Sequence, residues 1–344
     1  MLSSSRFLLL ASTLGIGLFF AILLVPKPGD IDVPYFLNVH LPTNQDRETP
    51  ITPAPETSGV TISFVGDIML ARSVERAIVE NGTAWPFAKL GDLFADSDLV
   101  IGNLEGTVRA TRNLEVVNQM VFDTTPDNVA MLADTGFTHL SLANNHTDDY
   151  GAQVTLDTRQ TVIEEGMTPF GDPLASENFV VRENIGGISL SIIGFHAFGQ
   201  TADEITQAIK AEAAQGRFVI VYPHWGVEYA TTAPSVETNA AKQFVEAGAD
   251  LIIGAHPHVI QNIEVIDGVP VIYSLGNFLF DQDFSPETQQ GLTAQVTITA
   301  DMISLDFVPV TIKNRQTYLM SEPAASELLN GLGLVNGQLD LVRE

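Results

Sequence analysis

The chain is 344 residues long, 45% hydrophobic and 17% charged, a composition that excludes a disordered protein and can bury a large core. Its formal net charge of −26 excludes a nucleic-acid-binding surface; an anionic partner is drawn in only where a metal or a local Arg or Lys inverts the field. There is no cysteine, so disulfides, thiolate metal sites, cysteine nucleophiles and a lipoprotein anchor are excluded.

In chain order, the first element is residues 7–25 (FLLLASTLGIGLFFAILLV), an uncharged run of 19 residues. As a helix it is about 28 Å long, close to the thickness of a bilayer core. The run is longer than most signal-peptide cores and no A-x-A site follows, so residues 1–25 read as a membrane anchor, with a cleaved signal sequence as the alternative. Arg6 and Lys27 flank it and orient it weakly. Either reading leaves the bulk of the chain extracytoplasmic, and the anchor reading places the protein at the cell membrane as a single-pass protein. Residues 26–59 are rich in Pro, Thr and acidic residues without an apolar period, and predict an extended spacer in which His40 is idle.

From residue 60 onward, short β-rich runs alternate with helical stretches, which predicts an α/β domain over 60–312. Strands are expected at 60–65, 99–101, 139–142, 190–194, 218–222, 251–253 and 271–274. Helices are expected at 71–80, 127–135, 152–165, 202–214 and 236–247. Two further strands, 293–299 and 303–312, read as an antiparallel pair. Residues 313–344 read as a tail with a short helix near 324–329.

The functional signal is one arrangement seen six times. A strand ends, a small residue or turn follows, and then come residues that bind metals or move protons. These ends carry Asp67; Asn103 and Glu105; Asn145 and His146; His224; His256 and His258; and Asn277, with Asp281 beyond. In an α/β sheet the carboxyl ends of strands share a rim where ligands bind, so residues far apart in sequence can meet there. Four of the seven histidines fall at these ends. Imidazole, carboxylate and amide donors without thiolate suit Mn, Fe, Zn or Mg, as one or two divalent ions. His256 and His258 flank a proline that favours extended backbone, so both side chains are expected to face one site. His139 and His196 read as packed, and Trp225 and Tyr229 as a pocket floor or as core.

Six motifs then carry a resemblance: GDIMLAR (66–72), GNLEGTV (102–108), LANNHTDDYG (142–151), YPHWGVEY (222–229), GAHPHV (254–259) and YSLGNFLFDQ (273–282). In this order they resemble the CapA family of poly-γ-glutamate capsule biosynthesis proteins, a relative of the calcineurin-like metallophosphoesterases. The resemblance implies a β-sandwich flanked by helices, here preceded by one transmembrane helix. It implies Asp67, Glu105, Asn145, His224, His256 and His258 as metal ligands, and His146 as the acid facing the substrate. One position departs from the pattern: Met69 stands where the related phosphatases have a histidine ligand.

The expected chemistry is metal-assisted hydrolysis, with His146 protonating a leaving group and Asp149 orienting it. Arg72, Asn103, Trp225, Asn277 and Asp281 are the expected substrate contacts, Arg72 by pairing with phosphate or carboxylate. Expected partners are an anionic polymer such as poly-γ-glutamate, the membrane and membrane synthase subunits. The alternative is a non-catalytic subunit that binds the polymer within a synthase or export complex.

Overall fold

The computed structural model describes residues 59–111, 120–171 and 179–342. The expected anchor at 7–25 and the spacer, except Gly59, lie outside them. Among the described residues no helix is long and apolar enough to cross a membrane.

The first half alternates strand and helix: β1 (Val60–Ile68), α1 (Arg72–Asn81), β2 (Leu99–Leu104), the short β3 (Thr107–Val108) and β4 (Asp123–Thr124), α2 (Pro126–Thr135), β5 (His139–Ser141), α3 (Ala152–Glu164) and β6 (Thr168–Phe170). A hairpin of β7 (Val180–Ile185) and β8 (Ile188–His196) is followed by α4 (Ala202–Ala213), β9 (Phe218–His224), α5 (Ser235–Ala247) and β10 (Leu251–Ile253). The chain closes with β11 (Ile263–Ile266), β12 (Val269–Ile272), β13 (Asn277–Leu279), β14 (Gln290–Ile298), β15 (Met302–Lys313), β16 (Gln316–Leu319), α6 (Ala324–Gly331) and β17 (Gln338–Val342).

The expected mixed α/β architecture is present, arranged as two sheets. One has the order β16-β15-β14-β1-β2-β5-β6, with β13 paired to β1 and β17 to β15; the other has the order β11-β12-β10-β9-β8-β7. Alternation along the strands explains how they pack. Ile62 and Phe64 of β1, Ala294 and Val296 of β14, Leu190 and Ile192 of β8, and Ile220 and Tyr222 of β9 share one buried cluster between the sheets. The opposite face of the first sheet, through Val65, Val100 and Leu140, packs on α1, α2 and α3 through Val74, Val129 and Val162. Val219, Val221 and Ile252 of the second sheet pack on Ile205 and Ile209 of α4 and Phe244 of α5. Burying each such side chain contributes roughly 1.5–3 kcal/mol before ordering entropy is subtracted.

Local signals explain where helices begin and end. At α4 the Thr201 hydroxyl accepts the Glu204 N–H, while the Glu204 carboxylate accepts the Thr201 N–H at 2.8 Å. Helix α2 begins at Pro126 and ends on Gly136 in the left-handed region. The strand pair 293–299 and 303–312 is antiparallel as expected, as β14 and β15. Residues 313–342 are not a separate tail, because β16 and β17 both pair with β15. Each is only four or five residues long, too short to show a period against the turns around it.

Candidate metal centre

Register assembles the site. Parallel pairing sets Asp67 of β1 beside Asn103 of β2 and, on its other side, Asn277 of β13. In the second sheet His224 of β9 lies level with His196 of β8, and bridges to Ala255 just beyond β10. The Tyr222 hydroxyl donates to the Val65 carbonyl at 2.5 Å and ties the two sheets together near these strand ends. A row of acid and amide residues from one sheet therefore meets a row of imidazoles from the other.

The side chains form one buried, connected cluster. The Asn103 amide nitrogen lies 2.8 Å from Asp67 Oδ1, 3.3 Å from Glu105 Oε2 and 3.2 Å from His224 Nδ1. His224 Nε2 lies 2.8 Å from Asn145 Oδ1 and 3.0 Å from His256 Nδ1. His258 Nδ1 lies 3.2 Å from Asp67 Oδ2 and 3.1 Å from Asn277 Oδ1, and its Nε2 is 3.6 Å from Glu105 Oε1. All six residues expected as ligands thus converge. Among the described residues, Asp67, Glu105 and His224 offer ligand atoms that all lie within 4.8 Å of one another.

Electrostatics follow from burial. Burial works against charge on His258, but the Glu105 and Asp67 carboxylates outweigh it and hold its pKa up to about 9. Burial pushes Glu105 well above the usual carboxylate range; His258 opposes that shift and Asp67 adds to it. Burial, then the charge on His258, push His256 down to about 4. His224 is pushed well below its ordinary value by burial and by the neighbouring histidines.

His146 stands at the edge of this cluster. Its Nδ1 lies 2.9 Å from Asp149 Oδ2, which also accepts the Phe122 N–H at 2.6 Å. Its ring stacks on Phe122 with centroids 3.9 Å apart, and its Nε2 faces Glu105 Oε1 at 3.9 Å. Exposed aromatics border the histidine pair. Phe198 lies 4.6 Å from His256, and Tyr229 lies 6.2 Å from His258 with Phe284 against it. Phe122 and Phe284 carried no sequence signal, since neither lies in a strand-end motif, and Phe198, which the sequence suggested would be buried with Phe195 around His196, is exposed.

Several expected roles are corrected. Trp225 is not a substrate contact: it is buried, donates to the Tyr273 carbonyl at 2.9 Å and stacks on Phe244 under α5. Asn103 and Asn277 are fully buried and spend their amides on the cluster, Asn277 also donating to Gln282 and to the Thr288 carbonyl. Arg72 and Asp281 form an ion pair with each other, and Ser73 also donates to Asp281. The Arg72 guanidinium lies over the Phe122 ring at 4.5 Å.

His256 and His258 do not reach the site as an extended pair. Their φ values of 99° and 60° are in the left-handed region, and the His256 N–H is held by Asp67 Oδ2 at 3.1 Å. Met69 does not face the site either. The register shifts between Asp67 and Ile68, and Met69 is buried against the α1 side with its sulfur 3.0 Å from the Ala71 nitrogen.

The residues present fit a divalent ion. Two buried carboxylates adjoin three imidazoles, and Glu105 Oε1 is buried without a hydrogen-bond partner. Close backbone approach is part of the construction: a Cβ on Gly66 would sit 1.8 Å from the Gly276 carbonyl oxygen, the acceptor of the Asp67 N–H. Both partners are main chain and cannot step aside. Gly66→Ala is expected to cost roughly 3 kcal/mol or more, at or beyond the upper end of overpacking penalties, read as a lowered urea midpoint. An unchanged midpoint would show that β1 can shift freely at the site.

Two facing sheets, helices on their outer faces and an acid–imidazole cluster at the strand ends define an α/β protein with a candidate metal centre. The chain belongs to the family described as bacterial capsule synthesis protein PGA_cap, whose pattern matches residues 61–282. It is 32% identical over 285 residues to the capsule biosynthesis protein CapA of Bacillus anthracis, covering 75% of this chain and 69% of that one. It is 32% identical over 257 residues to the PGA biosynthesis protein CapA of Bacillus subtilis strain 168, covering 69% and 68%. A probable polyglutamine synthesis accessory protein of Mycobacterium tuberculosis is 22% identical over 342 residues, covering 79% of this chain and 90% of its own.

Proposed function

We propose that this chain acts in the synthesis or export of an anionic capsule polymer of the poly-γ-glutamate type, as a membrane-anchored, extracytoplasmic, metal-dependent hydrolase. The relatives' roles in capsule and PGA biosynthesis support the polymer class. The observation that carries the chemistry is the buried cluster of Asp67, Glu105 and His224 with His146 beside it. Two carboxylates in a strongly acidic protein repel a polyanion, and a bound cation reverses that local field. A divalent ion at this cluster supplies Lewis acidity and an activated water. Asp67, Glu105, Asn145, His224, His256 and His258 are the residues that would hold it. Asp149 fixes the His146 ring, so that Nε2 can deliver a proton to a leaving group. Phe198 and Tyr229 wall the approach to the histidine pair. The anchor at 7–25 would hold the domain beside the membrane synthase that extrudes the polymer.

A second reading, polymer docking without turnover, is favoured by the burial of Met69 where the related phosphatases carry a ligand. One experiment separates the two. The full-length chain, loaded with Mn, is incubated with poly-γ-glutamate and with bis(p-nitrophenyl) phosphate. Shortened polymer or released nitrophenol, abolished by chelation, is the expected result. Metal-dependent polymer binding with no cleavage of either substrate would establish the docking reading instead.

A further inference from the structure

Backbone groups fix the polarity of two amides beneath the cluster. The His146 N–H can only donate, and it donates to Asn144 Oδ1 at 3.0 Å. The Leu104 carbonyl can only accept, and it accepts from Asn144 Nδ2 at 2.8 Å. Both ends of the Asn144 amide are therefore set, and Asn144 is almost fully buried. The same Nδ2 donates to Asn103 Oδ1 at 3.0 Å, which sets Asn103 in turn. Its Nδ2 is left pointing at Asp67 Oδ1, Glu105 Oε2 and His224 Nδ1, within 3.3 Å of each. An N–H₂ group carries no donor lone pair for a cation. Its two N–H bonds are shared among Asp67 Oδ1, Glu105 Oε2 and His224 Nδ1, so all three atoms face an amide nitrogen that cannot bind a cation.

We propose that Asn103 is a hydrogen-bond clamp, locked by Asn144, that closes the space among Asp67 Oδ1, Glu105 Oε2 and His224 Nδ1 to a cation and so limits the centre to a single divalent ion, which Asp67 Oδ2, Glu105 Oε1 and His224 Nε2 would remain available to hold. This rests on the reading that the cluster holds a divalent ion at all. Asn103 is a positioning residue: it acts through the carboxylates and imidazole that it orients. The lock also makes Asn144 decisive, although Asn144 touches none of the candidate ligands that Asn103 holds.

Metal stoichiometry tests the proposal without reference to turnover. The full-length chain and its variants are titrated with Mn or Zn and then analysed for bound metal. The unmodified chain is expected to hold one ion. Asn103→Asp keeps an acceptor for Asn144 Nδ2 and puts a carboxylate oxygen where the amide nitrogen was, so it is expected to hold two. Asn144→Asp keeps its bond from the His146 N–H but can no longer donate to Asn103. Asn103 then turns its oxygen into the cluster, and ion affinity is expected to rise roughly tenfold, opposite in sign to the 10–100-fold loss usual for changes behind metal ligands. A merely structural role for the two amides predicts the opposite, weaker binding in both variants. Two equivalent ions in the unmodified chain, or weaker binding in both variants, would overturn the clamp while leaving the metal reading intact. No bound ion in the unmodified chain with Mn, Fe, Zn or Mg would overturn the metal reading itself. Circular dichroism on each variant identifies one that fails to fold, and the other variant then decides.

Discussion

His224→Ala is expected to abolish tight binding of a divalent ion by the protein. His224 is buried at the centre of the cluster, between Asn103, Asn145 and His256. Changes behind a metal ligand cost roughly 10–100-fold in affinity, and loss of the ligand itself is expected to cost more. Binding by the unmodified chain is expected to depend on pH in a definite direction. Without metal, His258 is held up to about 9 by burial acting against, and the Glu105 and Asp67 carboxylates acting for, its charge. At pH 7 it is protonated, and an ion using its nitrogen must expel that proton. Affinity should therefore climb on the order of tenfold per pH unit from 7 to 9 for one proton released, then flatten. The metal-free chain should show the reverse trend in stability. The folded pKa of His258 exceeds its ordinary value of 6.5, so its contribution is complete below about 6.5 and disappears as pH rises through about 9. Isothermal titration at several pH values, with metal analysis of His224→Ala, tests both statements. Affinity that stays level from pH 7 to 9 would place His258 outside the ligand set.

His146→Ala is expected to lower turnover on any substrate the chain hydrolyses by roughly 10²–10⁴-fold, the usual contribution of a general acid, while bound metal stays nearly constant. The geometry separates the two effects. His146 Nδ1 is engaged by Asp149 at 2.9 Å, and its Nε2 stands 3.9 Å from Glu105, at the edge of the cluster. Asn145, one residue earlier, is the side chain that reaches His224. Asp149→Asn should reproduce part of the loss, because an amide can present the wrong partner to Nδ1 and release the ring from its orientation on Phe122. Rate measurements alongside metal analysis decide the matter. Parallel loss of metal and activity in His146→Ala would make His146 a ligand and not a proton donor.

Much of this site is legible in the amino-acid pattern. Each strand-end residue follows a short apolar run, and strands of an α/β sheet end on a common rim, so their gathering follows from that pattern, while the choice of Asp67, Glu105, Asn145, His224, His256 and His258 as ligands rests on the family resemblance. The roles of their neighbours do not. Asn103 and Asn277 sit in strand-end motifs just as the ligands do, and only the register beside Asp67 shows that their amides point inward to hold other side chains. Trp225 directly follows His224, yet its ring turns to the opposite side of the sheet, as alternate strand residues do. At Met69 strand alternation from Asp67 would aim both side chains the same way, but a register shift after Asp67 breaks that period.

The sequence by itself determined the α/β class, the five helices α1–α5 and the longer strands between residues 60 and 312, and the chemical inventory of the centre; β3, β4, β6, β7, β11 and β13 were not expected from it. What it determined are local properties: hydrophobic period, turn residues and the absence of cysteine act over a few residues and need no partner. Tertiary structure alone decided the strand order within the two sheets, the addition of β16 and β17 to the first sheet, and the left-handed turns that aim His256 and His258. It also decided that Arg72 and Asp281 neutralise each other, and that Asn144 dictates which end of Asn103 faces the acids. Those outcomes depend on pairings between residues as far as 209 positions apart, whose geometry is set by register and burial and leaves no periodic mark on the chain.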